Sequence, residues 1–202
     1  MTNQTNALAN VLTSIVTQAS NLPDTGVATN YQARIGSGNP LSRVMLIDTS
    51  GSMDEICRGS GCKRRIDILK EAIASIGWQD YRLVCFNFRV IPIQDVKNIC
   101  EPCGGTALHR AIEYATSLYP AQTLVISDGE PEDESEAIKA AKKLSGTIST
   151  LYVGDDDNKE AISFMAKLAK LGCGKPYIQS LDEGYKAIGG TISQALLPPS
   201  RR

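Results

Sequence analysis

The stretch VMLIDTSGSM, Val44 to Met53, ends an apolar run on a carboxylate and then sets hydroxyls at alternating positions: Asp48, Ser50, Ser52. Two distant segments carry matching chemistry. Thr106 follows CGG where a helical pattern begins, and Asp128 closes the apolar run TLVIS. The five side chains offer two carboxylates and three hydroxyls, all hard oxygen donors, with no imidazole or thiol among them. Such a set suits Mg2+ or Mn2+ better than zinc or copper. Any one of the five alone is an ordinary turn or helix-capping residue. A site exists only if the fold brings them to one place.

The elements that must do so follow from the apolar pattern. Val44 to Ile47 is a short continuous apolar run, as in a strand buried on both faces. Ile66, Leu69, Ile73 and Ile76 then fall on one side of a helix closed by Gly77. YRLVCFNF reads as a second strand, and VIPIQDV as its hairpin partner, pushed to an edge by Pro92. TALHRAIEYATSLYP is helical, TLVISD a strand, ESEAIKAAKKLSG a helix, STLYVGD a strand, KEAISFMAKLAKLG a helix and KPYIQS a last strand. A closing helix carries Ile188, Ile192 and Leu196. This alternation predicts an α/β fold: a doubly wound, mostly parallel six-stranded sheet with one antiparallel edge strand and helices on both faces. In such sheets ligands gather at the carboxyl ends of the strands, near the point where strand order reverses. Upstream, Leu8, Val11, Leu12, Ile15, Val16 and Ala19 mark a short amphipathic helix, and Pro23, Gly26, Gly36, Gly38 and Pro40 mark loop. The chain thus divides into an N-terminal helix and linker, 1–40, and a folded domain, 41–202.

DTSGSM, the isolated threonine of GGTAL, and SDGEP resemble the metal-ion-dependent adhesion site of von Willebrand factor type A (vWA) domains. The resemblance runs from Arg43 to the C-terminus and agrees with the Rossmann-like order of strands and helices. It implies Ser50, Ser52 and Thr106 as direct ligands of the ion, with Asp48 and Asp128 as partners through water. It also implies a binding module: a protein partner supplies a Glu or Asp to the ion, and AAA-type ATPases are among the partners of cytosolic members. The donor chemistry is consistent with this. Neutral hydroxyls leave much of the ion's charge unneutralised, so an outside carboxylate can replace a bound water.

Four cysteines flank these segments. Cys57 and Cys62 stand in CRGSGC, and Cys100 and Cys103 in CEPC immediately before GGT. The spacings C-x4-C and C-x2-C fall within the range of structural zinc sites, so a zinc staple between the two loops is one expectation. A redox pair, local disulfides and free thiols are the others. Cys85 and Cys173 read as buried small apolar residues.

Other signals carry less. Asp155, Asp156 and Asp157 read as an N-cap for the helix beginning near Lys159. GSGNP lacks the lysine of a phosphate-binding loop. His109, the single histidine, reads as packed or solvated.

Of 202 residues, 21 are Lys or Arg and 22 Asp or Glu, a formal net charge of -1. No basic excess points to nucleic acid or to an anionic membrane. The first twenty residues have neither a basic n-region nor a long apolar run, so a cytoplasmic protein is expected. Two rival functions stand beside the binding module. One is a structural subunit of a larger assembly. The other is a metal-dependent hydrolase, for which DTSGS lacks the second aspartate of a D-x-D pattern and no G-x-S-x-G elbow is present.

Overall fold

Arg43–Asp48 forms β1, and Val44 to Asp48 are wholly buried in it. The computed structural model describes residues 43–57, 61–129 and 131–196. The helix and linker expected over 1–40 lie outside the described residues.

After β1 come β2 (Ile56–Cys57), β3 (Lys63–Arg64), α1 (Arg65–Ala74), β4 (Tyr81–Phe86) and β5 (Val90–Ile93). Then follow α2 (Leu108–Ser117), β6 (Gln122–Ser127), α3 (Glu134–Lys143), β7 (Thr147–Tyr152), α4 (Lys159–Leu171), β8 (Cys173–Ile178) and α5 (Tyr185–Ala195). The six-stranded sheet has the order β5-β4-β1-β6-β7-β8, parallel except for the antiparallel pair β4–β5. This is the sheet that the sequence predicts, with Pro92 on the antiparallel edge strand and Pro176 on the opposite one.

Strand periodicity divides the core. Met45 and Ile47 face one side and pack with Ile66, Leu69 and Ile73 of α1 and with Ile188 and Ile192 of α5. Val44 and Leu46 face the other and pack with Leu108 and Ile112 of α2, Ala137 of α3, and Phe164 and Met165 of α4. With helices covering both faces, β1 has no polar face to show. Its continuous apolar run is the consequence.

Local details depart from expectation in three places. Ser75, not Gly77, takes the cap position at the end of α1; Gly77 precedes a short 3-10 turn at Trp78–Asp80. Asn158, not the preceding aspartates, caps α4, its side chain accepting from the Ala161 N–H at 3.1 Å. Cys173 is exposed, because it opens edge strand β8 straight after the end of α4. Cys85 is buried as expected. The antiparallel ribbon β2–β3 was not anticipated.

Candidate metal centre

From β1 the chain moves to β4 and β5 on one side; from β6 it moves to β7 and β8 on the other. The strand order therefore reverses between β1 and β6, the place where such sheets open a crevice. Asp48 is the last residue of β1, and Asp128 directly follows β6. Both are buried.

A chain of hydrogen bonds joins them. Asp48 Oδ1 accepts from the Ser50 N–H at 2.8 Å, and Oδ2 from the Ser127 hydroxyl at 2.5 Å. The Ser50 and Ser52 hydroxyls lie 3.1 Å apart. Ser52 Oγ donates to Asp128 Oδ1 at 2.8 Å. The Asp48 carboxyl is pushed up from 3.8 to about 7, first by burial and then by the charge on Asp128; the bonds from Ser127 and Ser50 pull it the other way. The charge on Asp128 thus adds to what burial costs Asp48, and both carboxylates lie among hydroxyls.

The loop carrying Thr106 is clamped against this group by its backbone. The Cys103 N–H donates to the Thr49 carbonyl at 3.0 Å, and the Gly51 N–H to the Gly104 carbonyl at 2.9 Å. On the far side, the Ala107 N–H bonds the Asn87 carbonyl at 2.9 Å, and Thr106's own carbonyl accepts from the Glu132 N–H at 3.1 Å. Gly104 is required here by its backbone, whereas at Gly105 the neighbour is the movable end of a side chain. Gly104 has φ +69° and lies against the Phe88 ring, and a Cβ on Gly105 would overlap the Glu132 carboxylate. Four of the five expected residues thus form one hydrogen-bonded group. Thr106 lies in the adjoining loop, and its hydroxyl has no hydrogen-bond partner among the described residues.

Arg65, the first residue of α1, was missed. Only 8% exposed, its guanidinium donates from Nη1 to Asp128 Oδ2 at 2.8 Å and from Nη2 to Asp155 Oδ1 at 2.8 Å. It also pairs with Glu55 Oε2 at 2.9 Å. A signal was available. Arg65 stands at i, i+4 and i+7 with Leu69 and Ala72, on the inward face of the helix.

The sequence matches no family model and no curated protein. Among solved structures, the chain is similar to the crystal structure of the SpRpn10 VWA domain. The identity is 15%, the TM-score 0.50, and the match covers 76% of this chain and 95% of that one. The chain has a VWA-like fold. Within this VWA-like fold the Asp48–Asp128 group lies at the carboxyl edge of the sheet. It fits a hard divalent cation by its donor chemistry: two buried carboxylates, two hydroxyls bonded to one another, and a third hydroxyl in the next loop.

The cysteines do not form the expected zinc staple. Among the described residues, no group of three or more His, Cys, Asp and Glu side chains could hold a metal ion. Cys57 is buried on β2 while Cys62 is exposed. Cys100 turns toward the core, its N–H reaching Cys85 Sγ at 3.5 Å. Cys103 Sγ accepts from Asn87 Nδ2 at 3.4 Å. Ion pairs tie these loops instead: Glu101 meets Arg64 at 2.8 Å and Lys70 at 2.9 Å, and Arg64 also reaches Asp54 and Asp67. All six thiols are free.

A polar cavity of about 370 Å³ opens beside the group, with Arg65 in its wall together with Glu55, Cys57, Asp155 and Asp182. Arg65 is therefore shared between the cavity and Asp128.

Proposed function

We propose that the Asp48–Asp128 edge binds Mg2+ or Mn2+, and that the site captures a Glu or Asp from a partner protein. The observation that carries this reading is the hydrogen-bonded run Asp48–Ser50–Ser52–Asp128 across the reversal of strand order. Ser50, Ser52 and Thr106 would hold the ion, with Asp48 and Asp128 flanking it through water. The bound ion would supply an unsaturated positive charge at the protein surface, and octahedral demands at ~2.0–2.1 Å would restrict which carboxylates can reach it. The likeness to a VWA domain supports a binding module. A binding role rather than hydrolysis is part of this proposal; Ser50 and Ser52 bond each other, and Ser52 donates to Asp128. No helix among the described residues is long and apolar enough to cross a membrane; a cytoplasmic setting and an AAA-type ATPase as the class of partner belong to the proposal.

Titration with Mn2+ followed by electron paramagnetic resonance tests the site. We expect one ion per chain, and a loss of affinity of about tenfold or more for Ser52→Ala and for Thr106→Ala, the scale of about 1.4 kcal/mol for one lost ligand contact. Partner capture should vanish with EDTA and return with Mg2+. Assembly unchanged by EDTA would favour the structural-subunit reading, and stoichiometric binding untouched by either substitution would remove the site.

A further inference from the structure

Asp128 divides its two oxygens between a hydroxyl and a cation. Oδ1 accepts from Ser52, and Oδ2 accepts from Arg65. A buried guanidinium thus already neutralises one of the two acids on which a cation site depends. Arginine cannot shed its proton to relieve repulsion. Ser52 and Arg65 bind the two oxygens of one carboxylate, so an ion held by Ser52 has a fixed positive charge for a near neighbour. At an edge this buried the repulsion is far larger than in water.

Arg65 also has somewhere else to go. Its Nη2 pairs with Glu55 and Asp155, whose side chains are 60% and 71% exposed on the cavity rim. The backbone holds the anchor in place, because the Arg65 N–H donates to the Glu55 carbonyl at 2.9 Å. Two acids outside the site can therefore keep the guanidinium satisfied after it leaves Asp128, so giving up that one contact does not strand a buried charge.

We propose that Arg65 is a resident counter-cation, which competes with the divalent ion for Asp128 and sets the ion concentration at which the site fills. This inference rests on the cation-binding reading of the Asp48–Asp128 edge. Before the ion arrives, Arg65 holds the Asp128 carboxylate in place. As the ion is taken up, Arg65 moves its allegiance to Glu55 and Asp155 at the mouth of the cavity. Ion uptake is thereby coupled to the charge presented at that rim, beside the surface a partner would meet.

The test is Mn2+ titration by electron paramagnetic resonance on the wild type, Arg65→Gln, Arg65→Lys, and Ser52→Ala in both the wild-type and the Arg65→Gln backgrounds. Removing the charge should tighten Mn2+ binding about tenfold or more, whereas Arg65→Lys, which keeps the charge, should stay within about threefold of wild type. Ser52→Ala should weaken binding about tenfold or more in both backgrounds. Equal affinity in Arg65→Gln and the wild type overturns the inference and leaves the cation site standing. No binding in either chain overturns both. Detectable binding only in Arg65→Gln supports the inference. A second measurement needs no substitution and survives a variant that fails to fold. In 15N-labelled wild type, the Arg65 Nε–H resonance should shift with Mg2+ at the same half-saturation as the Ser52 amide. A stationary Arg65 signal beside a moving Ser52 amide overturns the inference.

Discussion

Asp48 is held by two hydrogen bonds that favour its charged form, yet burial and Asp128 outweigh them and leave its carboxyl near 7. The sign of the consequence for stability is fixed. In the unfolded chain this acid ionises near 3.8, so between about pH 4 and 7 the folded state retains a proton that the unfolded state has released. Stability contributed by this group is fully present below pH 4, falls as pH rises, and is lost above about 7. In EDTA-treated protein the unfolding free energy from urea titration should therefore drop between pH 5 and pH 8 by on the order of 3 kcal/mol at most, since about two pH units of that window lie below the folded-state value of about 7. Asp48→Asn should flatten that slope, and Ser127→Ala, which removes a bond that lowers the acid, should steepen it. If Asp48→Asn leaves the slope unchanged, another group is responsible. Mg2+ should restore stability at pH 8 much more than at pH 5, since the ion favours the charged carboxylate.

The elements place these residues by close backbone approach, and glycines make that possible. Just beyond β7, a Cβ on Gly154 would stand 2.2 Å from the Asp128 carbonyl oxygen and 2.5 Å from the Tyr152 hydroxyl. Gly154→Ala should push the end of β6 outward, costing ~1–3 kcal/mol of stability and weakening Mn2+ binding together. Ile112→Ala on α2, under the opposite face of the sheet, should cost ~2–5 kcal/mol yet leave Mn2+ affinity within about twofold, a contrast that separates site geometry from general stability. At this scale the sequence was most readable. β1, β4, β6 and β7 are buried on both faces and so appear as apolar runs, and α2 and α4 show a clear helical stripe. The two-residue strands β2 and β3 are too short to show any period, so the ribbon could not be read. Asp48, Ser50 and Ser52 were legible because they alternate within one short segment, and Asp128 because it follows a strand in a similar way. The pairing of Arg65 with Asp128 spans 63 positions and depends on which helix face lies over the strand ends, which no local pattern states. The cysteine spacing misled because a spacing fixes separation along the chain and not the direction of a side chain. Cys100 packs against the core, its backbone N–H on Cys85 Sγ, while Cys62 and Cys103 are exposed.

For the molecule as a whole, a ligand that binds only the folded chain must raise its melting temperature. Mg2+ at a hundred times its wild-type dissociation constant should add about 2.7 kcal/mol to the wild type and about 1.4 kcal/mol or less to Ser52→Ala, measurable by calorimetry against EDTA. Equal gains in both would place the ion elsewhere. The two prolines on the outermost strands have a further effect. Pro92 and Pro176 each remove an amide from a border of the sheet, so an incoming extended peptide finds a missing rung on either flank. Sideways growth into ribbons or fibrils is discouraged even in crowded solution. Strand addition is thus the least favoured way for an extended peptide to engage this sheet.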